Sequence, residues 1–402
     1  MSSNSSPAPA EGFPPSGTRR EDADPGYRPP SPVPLWAAEH LPAAHLPAAA
    51  PPATMSAATA PAATGEEDLP GDSPSPPAGP AAGGPRAQGC VIALDVGGTG
   101  MKGAVLDHGM RPVDTVYRPT PRADGPAAVL DAIADTLLAL DRTATGRGLL
   151  VHHAGVVVPG IVDDGLRRAV WSANLGWRDL PLAALLEERT GLHVTLGHDV
   201  RAGGVAECTL GAARGAQNVL FVAIGTGIAA ALVCDGRPVR AGGYAGEIGH
   251  IAVGSGTEAC ACGRTGCLET VASAAAVASA YTARTGRAVA GAADVAALTA
   301  QGDPVAQEVW NRAATGLAEA LATVTTLLAP ELIVLGGGLA EAGPLLLDPV
   351  RAGLEERLTF QRRPLLVRAE LGDRAACLGA GLAAWQAAGH TATARGTGAP
   401  AR

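Results

Sequence analysis

The chain carries no excess of positive charge. Its 30 Lys and Arg stand against 38 Asp and Glu, a formal net charge of −8. That excludes a protein held to nucleic acid mainly through phosphate-backbone contacts. A small anionic ligand is not excluded, because it needs only local positive charge or a few backbone N–H groups. Long apolar runs are missing too: the hydrophobic stretches are short and broken by Gly, Asp or Pro, so no segment reads as membrane-spanning. Met1-Ser2-Ser3-Asn4 lacks the basic region and apolar core of a secretory signal. These absences point to the cytoplasm. Aromatic residues make up only 3% of the chain, whereas Gly (53) and Pro (33) are abundant.

With 402 residues, 47% of them hydrophobic, the chain is long enough for a large core and two or three domains. Much of the Pro is concentrated in residues 1–88, a Pro/Ala-rich stretch with almost no periodic apolar pattern. Such a segment cannot bury enough surface to offset the entropy of ordering it, and it is expected to be disordered. Met55 offers an alternative start within it. From Val91 onward, short apolar runs alternate with helical spacing. Examples are Val91–Val96, Leu149–Val158, Val219–Ile224 and Leu332–Leu335 for strands, and Pro126–Leu140, Pro304–Leu328 and Ala375–Gln386 for helices. That alternation predicts α/β architecture. A tail over 389–402 is polar.

Asp95-Val96-Gly97-Gly98-Thr99-Gly100-Met101-Lys102 is the first motif that carries chemistry. Adjacent glycines let the backbone approach a phosphate and present N–H groups to it. Thr99 adds a hydroxyl, Lys102 a positive charge, and Asp95 a carboxylate able to hold Mg²⁺ directly or through water. A Walker A loop or a dinucleotide loop would enter a helix; here the loop runs from strand to strand. Gly225-Thr226-Gly227 repeats the arrangement, and Gly336-Gly337-Gly338 follows a third buried strand. One such loop alone would read as a tight hairpin. Three together suggest two similar subdomains gripping one nucleotide in the cleft between them.

The seven cysteines are odd in number, and three are clustered. His250, Cys260, Cys262 and Cys267 form a His-x9-Cys-x-Cys-x4-Cys pattern. Three thiolates and one imidazole suit tetrahedral zinc, and four protein ligands leave no open position, so the metal is expected to be structural. Gly263 and Gly266 permit the tight turns such a knot requires. The other four cysteines, Cys90, Cys208, Cys234 and Cys377, are expected to be buried packing.

Asp95–Lys102, Gly246-Glu247-Ile248-Gly249-His250 and Cys260–Glu269 closely resemble the ROK family (repressors, open reading frames, kinases), over about residues 90–388. The resemblance implies an actin/hexokinase-like (ribonuclease H-like) two-domain ATPase fold with a ligand cleft. The small domain would span 89–199, with the helix over 375–388 packing back on it, and the large domain 200–374. It implies transfer of the ATP γ-phosphate to a hexose, glucose first, with Asp199 as the base that takes the hydroxyl proton. Asp199 also suits a helix N-cap. Asn174, Glu247, His250 and Glu269 match sugar contacts, and Gly160 would run its backbone along the sugar. His250 would then serve zinc with one ring nitrogen and a sugar hydroxyl with the other.

His198 stands where the family usually has Asn, and Arg201 where small or amide residues are common. His198 therefore bears on which hydroxyl pattern is accepted, and Arg201 reads as an added contact or a surface charge. N-acetylmannosamine, N-acetylglucosamine and fructose are the rival acceptors. Family polyphosphate kinases generally lack the cysteine cluster, which favours ATP as donor. A repressor of the family would need a winged helix-turn-helix, and residues 1–88 show neither a helical triplet nor a basic face. A non-catalytic sugar-binding protein is the remaining alternative. The resemblance further implies a homodimer or homotetramer, cleft closure on sugar binding, and no nucleic-acid or membrane partner.

Overall fold

A computed structural model describes residues 88–390. The disorder expected over 1–88 concerns residues that lie, up to 87, outside the described ones, as does the tail from 391 onward. The first sheet is built on β1 (Gly89–Val96), β2 (Gly100–Leu106), β3 (Pro112–Pro119), β4 (Leu150–Val158) and β8 (Val194–His198), in the order β3-β2-β1-β4-β8. β2 is antiparallel to β1 and β3, whereas β4 runs parallel to β1 and β8 parallel to β4. β1 is buried almost throughout and reads as one apolar run, because both of its faces are covered. β3 lies at the edge and alternates between exposed and half-buried residues.

One face of this sheet is covered by α1 (Pro126–Gly146) and α2 (Leu182–Thr190). Pro126 opens α1, where its missing N–H costs no hydrogen bond, and Val129, Ile133, Leu137 and Leu140 form the buried stripe. Between β4 and α2 lies a small antiparallel sheet of β5 (Ile161–Asp163), β6 (Arg168–Ser172) and β7 (Trp177–Leu180). Its strands are short and carry Arg168, Arg178 and Asp179, so no apolar run announces them.

The second sheet repeats the first. It contains β9 (Val219–Ile224), β10 (Ile228–Cys234), β11 (Arg237–Pro238), β12 (Leu332–Gly336) and β13 (Leu365–Arg368), in the order β11-β10-β9-β12-β13. β9 pairs antiparallel with β10 and parallel with β12, as β1 does with β2 and β4. Its larger core is formed with α4 (Glu269–Ala272), α5 (Ala274–Thr285), α6 (Ala292–Ala300), α7 (Pro304–Leu328) and α8 (Pro344–Arg357). α7 begins at an Asp303 side chain that accepts the Ala306 N–H at 2.9 Å, a cap worth about 1 kcal/mol. α8 holds Pro349 in its interior, which disguises it in the sequence; Leu346, Val350 and Leu354 bury its inner face.

Two helices cross between the sheets. α3 (Asp199–Leu210) follows the last strand of the first sheet but packs on β9 and β10. α9 (Ala375–Ala387) follows the last strand of the second sheet but packs on β1 and β4. The two helices pack on each other, and Gly379 permits this because a Cβ there would strike the carbonyl of Ala202.

Candidate active site

In the first sheet β1, β4 and β8 run parallel, so their C-terminal ends share one edge. That edge carries the Gly97-Gly98-Thr99 turn after β1, Gly160 after β4, and His198-Asp199 at the end of β8. The equivalent edge of the second sheet carries Gly225-Thr226-Gly227 after β9 and Gly336-Gly337-Gly338 at the end of β12. Carboxyl ends of parallel strands are where open α/β sheets bind ligands.

The first turn is closed by Gly97 N–H to the Gly100 carbonyl at 2.9 Å. Thr120, beyond β3, fastens it from outside: its hydroxyl donates to the Gly97 carbonyl at 2.7 Å and its N–H to the Thr99 carbonyl at 3.1 Å. Thr99 is exposed at the tip. Lys102 does not extend freely toward the turn. Its ammonium holds the Asp373 carboxylate at 3.0 Å and the Asp373 carbonyl at 3.2 Å. Asp95 is pushed up to about 7, first by burial and then by the charge of Asp199, with Lys102 opposing the shift. The charge of Asp199 acting on the Asp95 carboxyl favours a cation nearby.

Asp199 is the first residue of α3 and not its cap. The cap is His198, whose Nδ1 accepts the Arg201 N–H at 3.3 Å, while an Asp199 carboxylate oxygen accepts the N–H of Val200 at 2.7 Å. Asn174 is exposed in the turn between β6 and β7, and its Cβ lies 3.8 Å from where a side chain on Gly98 would begin. Gly160 has φ +106°, and a Cβ there would collide with the Trp171 carbonyl, so β6 passes directly over it.

In the second sheet Gly225 N–H bonds the Gly227 carbonyl at 2.9 Å, and Thr226 is exposed like Thr99. Glu269, the first residue of α4, reaches this turn: its Oε2 accepts the Ile228 N–H at 2.8 Å. Gly337 turns back under β9, where a Cβ would meet the Ile224 backbone. A cavity of about 210 Å³ opens beside Gly338, lined by Ala292, Ala296, Trp310, Leu339 and Ala342. The larger cavities, about 320 and 470 Å³, are both lined by α9 and not by the second or third glycine turn. Strand ends and loop chemistry, not these larger hollows, define the candidate site.

His250, Cys260, Cys262 and Cys267 come together, with all four ligand atoms within 4.8 Å of one another. The His250 Nδ1 to Cys260 Sγ distance is 3.6 Å, and Cys262 Sγ to Cys267 Sγ is also 3.6 Å. A tetrahedron with zinc–sulfur bonds near 2.3 Å and a zinc–nitrogen bond near 2.0 Å has edges of about 3.5 to 3.8 Å. The donor set and its spacing fit that ion. Burial, then the neighbouring sulfurs, push the Cys267 thiol up to about 12, a state that a bound dication would reverse. α7 holds the knot in place: Arg312 donates to the Ser255 carbonyl at 2.7 Å and to Glu258 at 2.7 Å, and Glu319 accepts the Gly254 N–H at 2.8 Å.

A family model described as ROK family matches residues 91–387. The chain belongs to the ROK family. A glucokinase of Halalkalibacterium halodurans is 36% identical over 287 residues, covering 66% of this chain and 84% of that protein. The ROK hexokinase of Thermus thermophilus is 34% identical in structure-based alignment, with a TM-score of 0.65 over 74% of this chain and 98% of that one. A ROK family glucokinase from Streptomyces griseus, solved with glucose and AMPPNP, gives 29% identity and a TM-score of 0.63 over 74% and 99%. Transcriptional regulators of the family match as well. The fold is the actin/hexokinase-like one, and the matches support a sugar kinase.

Against that family two local features stand out. Arg201 is no surface charge: it is 5% exposed and donates to the Val162 carbonyl at 3.0 Å and to Asp164 at 2.7 Å. Asp164 also pairs with Arg240 at 3.4 Å, so the β5–β6 turn is tied to α3 and to the segment after β11. Of the four cysteines outside the knot, Cys90 and Cys377 are buried, but Cys208 and Cys234 are half-exposed. Burial pushes Cys90 and Cys208 up to about 11 and Cys377 up to about 12, which makes these three poor nucleophiles. Arg122, Asp164 and Asp373 carry no motif in the sequence; only chain folding brings them to the strand ends. Among the described residues no helix is long and apolar enough to cross a membrane.

Proposed function

We infer that this protein transfers the γ-phosphate of ATP to a hydroxyl of a hexose, glucose at its 6-hydroxyl being the first candidate. The observation that carries this reading is the convergence of Asp199, the Gly97–Thr99 turn and Asn174 at one sheet edge, with Asp95 close enough to Asp199 to be raised by it. The nucleotide phosphates lie along the turns Gly97-Gly98-Thr99 and Gly225-Thr226-Gly227, and the base rests near Gly336-Gly337-Gly338 in the apolar hollow under Leu339. The hexose lies among Gly160, Asn174, His198, Glu247, His250 and Glu269. Asp199 takes the proton from the attacking hydroxyl; the sugar oxygen bonds to the γ-phosphorus as the bond to the bridging oxygen breaks, and ADP leaves with that electron pair.

Asp95 would hold Mg²⁺, which when bound neutralises phosphate charge. His250, Cys260, Cys262 and Cys267 would hold a structural zinc ion, which when bound fixes the orientation of the His250 ring. Nδ1 faces the sulfurs, so Nε2 is the nitrogen that would meet a sugar hydroxyl. Closure of the first sheet on the second would exclude water from the reaction. The subunit arrangement proposed is a homodimer or homotetramer in the cytoplasm.

The test is coupled ADP release across glucose, mannose, fructose, N-acetylmannosamine and N-acetylglucosamine, with the Asp199→Asn variant alongside. Glucose is expected to give the highest kcat/KM. Asp199→Asn is expected to lower kcat by at least about 10³-fold while sugar affinity stays within a few-fold. A near-normal kcat in that variant sinks the assignment of Asp199, and no turnover of any sugar by the wild type sinks the kinase reading.

A further inference from the structure

Arg122 follows the Thr120 clasp on the first glycine turn. Its backbone N–H bonds the Thr120 carbonyl at 2.8 Å, while Thr120 itself bonds Gly97 and Thr99. The side chain is thereby carried over the turn, and Nη1 lies 3.5 Å from where a Cβ on Gly98 would be. The Asn174 Cβ approaches the same position, at 3.8 Å. Gly98 thus has a guanidinium and the side chain of Asn174, a proposed sugar contact, close above it.

The charges around this glycine give Arg122 its meaning. Lys102, the cation the motif supplies, is already held by Asp373. Asp95 and Asp199 place two carboxylates on the same edge. Among the described residues the Arg122 guanidinium has no ion pair or hydrogen bond, and it is exposed. An unpartnered guanidinium over a phosphate turn, next to carboxylates that would repel a triphosphate, suits an anion that arrives with the substrate. Glucose and its rival acceptors are neutral sugars, so that anion is the phosphoryl group.

We propose that Arg122 is a catalytic residue that binds the oxygens of the transferred γ-phosphoryl group. This rests on the kinase reading above. In the transfer, the sugar oxygen forms its bond to phosphorus, the bond to the ADP oxygen breaks, the hydroxyl proton goes to Asp199, and the equatorial phosphoryl oxygens keep their negative charge throughout. A planar guanidinium donates two parallel N–H bonds to those oxygens, which an ammonium cannot do. The contact belongs to the γ-phosphoryl group and not to the rest of the nucleotide, because Arg122 lies against the same glycine as Asn174, a residue of the proposed sugar site.

The experiment compares Arg122→Ala and Arg122→Lys with the wild-type full chain. Titration calorimetry with Mg²⁺–AMPPNP and with Mg²⁺–ADP reads the contact without turnover. Arg122→Ala is expected to weaken AMPPNP about 10-fold and to leave ADP within about twofold. In the sugar assay kcat is expected to fall about 100-fold with the sugar KM within about twofold, and Arg122→Lys to recover part of that loss. Equal losses for AMPPNP and ADP, no loss for either, or a raised sugar KM at unchanged kcat would each overturn the proposal. If the wild type phosphorylates no sugar, the kinase reading fails, whereas the AMPPNP-to-ADP comparison still decides the role of Arg122.

Discussion

The turn after β1 and the turn after β9 hold the same place in two sheets of the same strand order and are closed by similar backbone bonds, yet different side chains surround them. Around Gly97–Thr99, which Thr120 fastens by hydrogen bonds, the nearby side chains are ionic: Asp95, Asp199, the Lys102–Asp373 pair and Arg122. Around Gly225–Gly227 one carboxylate, Glu269, two residues after Cys267, accepts the Ile228 N–H, and the Ala274 N–H bonds the Gly225 carbonyl at 2.8 Å. In the proposed reaction, the first turn would meet charge that changes, whereas the second would be held in place through Glu269, which follows the cysteine knot. Duplicated topology therefore does not imply duplicated duty.

If that contrast is right, loss of the knot should damage the second turn as well as the sugar pocket. A Cys260→Ser, Cys267→Ser double variant is expected to lose the roughly one zinc per chain that elemental analysis of the wild type would find. Its kcat/KM for sugar should drop about 10- to 100-fold, and its ADP affinity should decline in parallel. Full activity in protein free of metal would break the link between knot and pocket.

A smaller and more pointed effect is expected at Glu269. Glu269→Ala removes the acceptor for Ile228 N–H and should weaken both ADP and sugar about 10-fold. Glu269→Gln keeps a carbonyl acceptor, so ADP affinity should return to within about twofold while the sugar KM stays raised. Calorimetry against each ligand separates the two; parallel behaviour of Gln and Ala toward ADP would deny that the hydrogen bond matters.

The smallest effect is on stability at the first turn. Asp95 has its folded pKa raised from 3.8 to about 7. Between those values the folded protein holds a proton that the unfolded chain has released, so stability falls as pH rises through this window and stays reduced above it. Asp95→Asn, assayed without nucleotide or Mg²⁺, should raise Tm by about 2–4 °C at pH 8. The gain should shrink toward pH 4, where the wild-type carboxyl is neutral in the fold. Thermal melts across that range check the sign; a gain that grows at low pH would contradict it.

Much of the site was legible because it is local. Asp95–Lys102 and the Cys260–Cys267 knot are contiguous, and their chemistry follows from residue types at fixed spacing. Residues that act through distant neighbours were not. Arg201 reads as an added contact or a surface charge until the β5–β6 turn closes over it, and Asp164 and Arg122 lie in connections whose sequence says nothing of what they cover. Asp199, the base that the resemblance implies, also suits a helix cap, because a carboxylate before a helical run is a good one; the structure gives the cap to the imidazole one residue earlier.

By itself the sequence determined the alternation of strands and helices, the glycine turns that can approach a phosphate, and the His/Cys set whose spacing suits a metal ion, since each depends on residues near one another along the chain. Tertiary structure decided which charges meet. Parallel pairing of β1, β4 and β8 brings Asp95, Gly160 and Asp199 to one edge from positions far apart in the chain, and the exchange of α3 and α9 ties that edge to the second sheet. Coulomb interactions and hydrogen bonds depend on distance in space, and no spacing along a chain supplies that distance until the sheets have formed.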